Sequence, residues 1–178
     1  MKKSVRELLA TRLGPWLLLI TTVAVLSLLV RIALLTRSYT QLDFTFLHIG
    51  GIFLLGFFYD LVNAFYFSLP LVLYLWLTPA HQYNKAWHGY LRVFLFVMMT
   101  AILTFTAVAE WFFWDEFSVR FNFIAVDYLV YTTEVIGNIS QSYPIGWIIS
   151  AVVIVSVLIV YFLRPIIIQP VGESVRFR

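Results

Sequence analysis

Asp127, Tyr131, Glu134 and Asn138 recur at steps of 4, 3 and 4 residues, the spacing of one stripe along an α-helix. Ala125, Val126, Leu129, Val130 and Ile136 fall on the other faces. A helix with a polar stripe and an apolar side, set between long apolar runs, most simply lies in the bilayer interface, where its polar side meets lipid head groups. Carboxylates alone repel phosphate, so Arg120, a metal or backbone N–H groups are expected to offset them. Arg120 and Asn122 stand just before the stripe and join it as candidate head-group contacts. The plainer reading is a helix that only seals the rim of the bundle.

A second set is intramembrane. Asp60 and Glu110 are the carboxylates embedded in apolar runs, and Asn63 lies one turn beyond Asp60. Ionisable groups at such depth are costly and are functional candidates by default. The alternative is that they mark the interface and bind water or a neighbouring arginine such as Arg31 or Arg37, with Asn63 sharing the Asp60 site. A transporter or channel built on Asp60 and Glu110 ranks last, because four spans without an internal repeat make a poor alternating-access machine.

Other chemistry is not signalled. His48, His81 and His88 have no metal-ligand spacing, and His81 and His88 are expected to be solvated. The chain has no HExxH pair, glycine-rich phosphate loop or GxSxG elbow. It has no cysteine, which excludes disulfides and thiolate sites. No catalytic residue and no metal ligand is assigned. The basic residues form no patch interleaved with aromatics, so no nucleic-acid partner is expected. The expected partner is the phospholipid bilayer, with a phospholipid as the candidate substrate.

The elements that position these residues are membrane spans. Only 12% of the 178 residues are charged, against about 25% in soluble domains, and the mean hydropathy is +0.91. The reading is an all-α integral membrane protein with four transmembrane helices and an interfacial amphipathic helix in the outer loop. The spans are placed at about 13–35, 55–78, 93–114 and 145–163, joined by an outer loop at 115–143. Residues 1–12 form a cytoplasmic N-terminus and residues 164–178 a cytoplasmic tail. Arg31 is expected to snorkel outward, and Arg164-Pro165 to stop the last span. The stretch 44–54 is read as either interfacial or a separate short span.

Orientation follows from charge. With four spans and both ends inside, nine of the twelve Lys and Arg residues are cytoplasmic, and only Arg31, Arg37 and Arg120 lie outside. Seven of nine carboxylates then fall on or near the outer face. A fifth span made by turning at Asp60 would place more basic residues outside than inside, against the positive-inside rule.

The run WDEFSVRFNFIAVDYLVYTTEVIGNISQSYPI, residues 114–145, resembles the loop after the third span of lipoteichoic-acid-synthase-like proteins. These are phosphoglycerol transferases of the sulfatase and alkaline-phosphatase superfamily. The likeness is strongest at Arg120, Phe121, Asn122, Asp127, Tyr128, Tyr131, Thr132, Glu134 and Asn138, and continues at Gly56-Phe-Phe-Tyr-Asp60 and Arg164-Pro165. It implies a bacterial cytoplasmic membrane protein whose bundle of five spans carries an extracytoplasmic domain with a metal site and a threonine or serine nucleophile. The sequence has four spans and no counterpart of that domain, so nucleophile and metal ligands correspond to no residue here. The resemblance therefore implies the N-terminal membrane anchor, or lipid-presenting domain, of such an enzyme, with any divalent metal confined to the absent catalytic domain. The chain is expected to be a fragment of that larger product or, alternatively, a stand-alone non-enzymatic bundle that binds a partner membrane protein.

Overall fold

The computed structural model describes residues 9, 11–39, 45–130, 137 and 139–170, without the side chains at 80 and 127–129. All its regular structure among the described residues is helical. Among the described residues four helices are long and apolar enough to cross a membrane: α1 (Gly14–Arg37), α2 (Phe46–Leu77), α4 (Ala86–Phe117) and α6 (Ile145–Ile167). Short helices lie at opposite ends of the bundle. α3 (Ala80–Tyr83) joins α2 to α4, and α5 (Phe123–Val130) follows α4. The chain is a multi-pass membrane protein of all-α class.

α1 and α4 pack together at the centre; α2 lies on α1 and α6 on α4. Each outer helix buries a single narrow stripe. In α2 it is Asp60, Ala64, Ser68, Leu71 and Leu75; in α6 it is Val152, Ser156 and Val160, with Ile167 further on. Steps of three and four keep such residues on one face. The other faces expose large apolar side chains such as Phe58, Tyr66, Trp76, Trp147 and Phe162, as expected of helices solvated by acyl chains. The buried stripes are rich in small and hydroxylated residues because, in lipid, close van der Waals approach and interhelical hydrogen bonds drive association. Trp16 Nε1 donates to Ser68 Oγ across α1 and α2 at 3.0 Å. Ser156 Oγ lies 3.3 Å from Thr104 Oγ1 across α6 and α4.

Two helices differ from the expected spans. Residues 46–54 are not a separate span; they are the first turns of α2, a continuous helix of 32 residues. At 1.5 Å per residue it is about 48 Å long, against a hydrocarbon core of about 30 Å, so its first turns rise beyond the core. Pro165 does not stop the last span, since α6 runs through it to Ile167. One missing N–H in a final turn costs a single backbone bond, and the last turn closes through Ile168 N donating to Arg164 O at 3.0 Å.

Candidate functional site

At the α5 end of the bundle three arginines meet three carboxylates one to one. Arg31 Nη2 lies 2.6 Å from Asp60 Oδ2, and both side chains are 6% exposed. Each residue is 17 positions from its helix end at the α3 side, Gly14 for one and Leu77 for the other, which is ~26 Å along the axis. The pair therefore sits just inside one boundary of a ~30 Å core. Gly56 makes it possible, because an added Cβ there would collide with the Arg31 guanidinium. Arg31 does not snorkel; its charge is met within the bundle by Asp60. Asn63 is exposed and does not share this buried site.

Glu110 takes a different arginine from those the sequence suggested. Arg120 Nε donates to Glu110 Oε1 at 2.5 Å, and Nη2 to Oε2 at 3.2 Å. This fork-on-fork geometry matches the planar guanidinium to the planar carboxylate. It forms because α4 ends at Ser118 with left-handed backbone, φ 54° and ψ 24°, which turns the chain back toward the helix. The hydrogen bond to Glu110 holds Arg120 protonated beyond its already high ordinary range, against the opposing effect of burial, and Asp60 adds to this. A third pair, Arg37 Nη2 and Asp115 Oδ1 at 3.1 Å, is on the surface.

This arrangement bears on the chemistry available. Asp60, Glu110 and Asp115 are each engaged by a guanidinium, so none is poised as a free general base. The side chains of Arg120 and Arg37 remain 44% and 59% exposed, and Arg120 Nη1 is not used in the pair with Glu110. The end of the bundle is thus braced, and it offers partly free guanidinium edges of the kind that bind phosphate.

The loop after α4 holds a helix, α5, as the spacing of its residues predicts. Asn122 Oδ1 accepts from Ile124 N at 2.9 Å, capping the first turn of α5, and the side chain stays exposed. Phe123, Val126 and Val130 are exposed. Asp127 lies within α5, but its side chain, with Tyr131, Glu134 and Asn138, falls outside the described residues. The structure thus brings Arg120 and Glu110 together, sets Asp60 with Arg31, and leaves the rest of the polar stripe undescribed.

At the α3 end the structure reveals a cluster that spacing alone did not disclose. Arg92 is 2% exposed, donates Nη1 to Tyr83 O at 3.0 Å, and lies over the Tyr83 ring at 4.0 Å. Arg12 approaches the same ring and donates to Leu75 O and Thr78 O. Burial pushes the Tyr83 phenol above its ordinary range, opposed by the two arginines. His88 is buried, not solvated: its Nδ1 lies 2.6 Å from Tyr74 Oη and its Nε2 3.3 Å from Gln82 Oε1. One neutral tautomer satisfies both contacts, with Tyr74 donating to Nδ1 and Nε2–H donating to Gln82. The available signal was the step of four between His88 and Arg92 at the start of an apolar run. Among the described residues no group of three or more His, Asp or Glu could hold a metal ion. No protein-family model, curated protein or solved structure matches the chain.

Proposed function

We propose that this chain is the membrane domain of a lipid-head-group transferase of the lipoteichoic-acid-synthase-like type, presenting a phospholipid at the outer face of a bacterial cytoplasmic membrane. In this reading both termini are cytoplasmic, as the distribution of lysine and arginine favours. The observation that carries the reading is the braced α5 end. Three carboxylates there are neutralised by three arginines, two of them partly exposed, beside a short helix with exposed Phe123, Val126 and Val130. Apolar side chains would seat α5 among acyl chains while Arg120 and Arg37 meet the phosphate. Transfer itself is assigned to a catalytic domain that would hold the nucleophile and a divalent metal; no residue described here is given that role.

The test uses native membranes, probed with an antibody to residues 1–12 and assayed for transfer from phosphatidylglycerol labelled in its glycerol head group. The expected result is a band well above 20.7 kDa and transfer that immunodepletion removes. A band at 20.7 kDa with unchanged transfer after depletion refutes the proposal and leaves a stand-alone bundle that binds a partner membrane protein.

A further inference from the structure

At the opposite end of the bundle, a cavity of about 410 Å³ lies between the first turns of α4 and the last turns of α6. Its wall carries three cations, Lys85, Arg92 and Arg164, and no carboxylate. Among the described residues none of the three forms an ion pair. Arg92 is the telling member. It is buried, and among the described residues its Nε has no hydrogen-bond partner and its charge is met only by one backbone carbonyl and the face of Tyr83. A buried guanidinium without an anion is costly, above all at membrane depth.

The backbone adds to the positive field. Lys85 caps α4 without a side-chain hydrogen bond, and the first turn has no acidic residue. The leading N–H groups of this 32-residue helix therefore present the positive end of its dipole beside the cavity. Deeper in, the wall changes character: Val93, Val157 and Val160 line it, and it continues toward lipid-exposed surface at Tyr161. A free inorganic anion would gain nothing from that apolar wall, whereas a molecule with a phosphate at one end and an acyl chain at the other satisfies both.

We propose that this cavity binds an anionic phospholipid, its phosphate held by Lys85, Arg92 and Arg164 and one acyl chain lying along the valines. The site is separate from the α5 end and does not depend on the transferase reading. Under the orientation proposed above it draws its lipid from the cytoplasmic leaflet, where juxtamembrane cations meet anionic head groups.

The test is native mass spectrometry of the delipidated full chain in detergent, titrated with phosphatidylglycerol, phosphatidylcholine or inorganic phosphate. Phosphatidylglycerol is expected to bind at least tenfold more tightly than phosphatidylcholine, and an equal concentration of inorganic phosphate not to displace it. Removing two cations by Lys85→Gln with Arg164→Gln should weaken binding about 30-fold, roughly fivefold for each, while Lys85→Arg with Arg164→Lys retains it. These two side chains are exposed, so the variants keep the fold, checked by an unchanged melting temperature. Gly89 has room for one carbon, an added Cβ lying 3.9 Å from Ile168 Cγ2, so Gly89→Leu should fill the mouth of the cavity and block the lipid. Equal binding of the two lipids, undiminished binding by the double Gln variant, or displacement by inorganic phosphate would each overturn the proposal.

Discussion

Asp60→Asn is the sharpest perturbation of the α5 end. The substitution keeps the size and one acceptor of the side chain but leaves Arg31 buried with its charge unmet. At the observed 2.6 Å, two unit charges attract by about 6 kcal/mol at an effective dielectric constant of 20. Much of that is offset by the desolvation both groups suffer, and removing one partner of such a pair costs about 3–5 kcal/mol net. The expected loss is therefore about 3–5 kcal/mol in the free energy of unfolding, measured by titrating the protein from mild detergent into dodecyl sulfate. Replacing both partners with apolar residues, Arg31→Met with Asp60→Leu, should recover most of the loss, since no uncompensated charge then remains. Gly56→Ala should destabilise by the same route, because its Cβ occupies the space of the Arg31 guanidinium. A loss below about 1 kcal/mol for Asp60→Asn, the range of exposed pairs, would mean that the pair is not buried as described and would refute the argument.

Three smaller effects can be checked the same way. Arg120→Ala should cost about 1–3 kcal/mol, because it leaves the buried Glu110 unpaired at a site that the 44% exposed arginine side chain keeps partly open to water; a loss below that of an exposed pair would contradict this. Ser118→Gly should stabilise by about 1 kcal/mol, since the left-handed backbone at φ 54° disfavours a side chain; a destabilised variant would show that the hydroxyl matters more than the backbone. Because burial raises the folded-state pKa of Tyr83 above its ordinary 10.0, its contribution to stability is complete below pH 10.0 and is lost as the pH rises through the folded value. Melting temperatures across the alkaline range should therefore fall less steeply for Tyr83→Phe, which keeps the ring under Arg92, and equal slopes would sink the assignment.

The class of the protein and its spans were legible from composition and run length, because a bilayer demands about 20 consecutive apolar residues whatever they pack against. The helical spacing of the segment after Asn122 was legible too, whereas the capping role of Asn122 emerged only in the structure. The packing faces were not legible from hydrophobic periodicity. In α2 and α6 the lipid-facing and helix-facing sides are both apolar, so no contrast marks the interface; the weaker marks are small or hydroxylated residues, Ala64 and Ser68 in α2, Thr100 and Thr104 in α4, each pair a step of four apart, and Ser156 in α6.

Ion pairing shows the same division. The sequence by itself placed Arg31, Asp60, Glu110 and Arg120 near one membrane boundary, because charged residues in apolar runs gather where their cost is least. Which arginine meets which carboxylate was decided by tertiary structure: by Gly56, which admits the Arg31 guanidinium against α2, and by the turn at Ser118, which returns Arg120 to Glu110. At the other end, the apolar run around Arg92 suggested only a span boundary. That the residue is buried under Tyr83 and lines a cavity shared with Arg164 depends on α3 folding back over α4 and on α6 packing alongside. Those contacts join residues far apart in the chain, and local spacing carries no record of them.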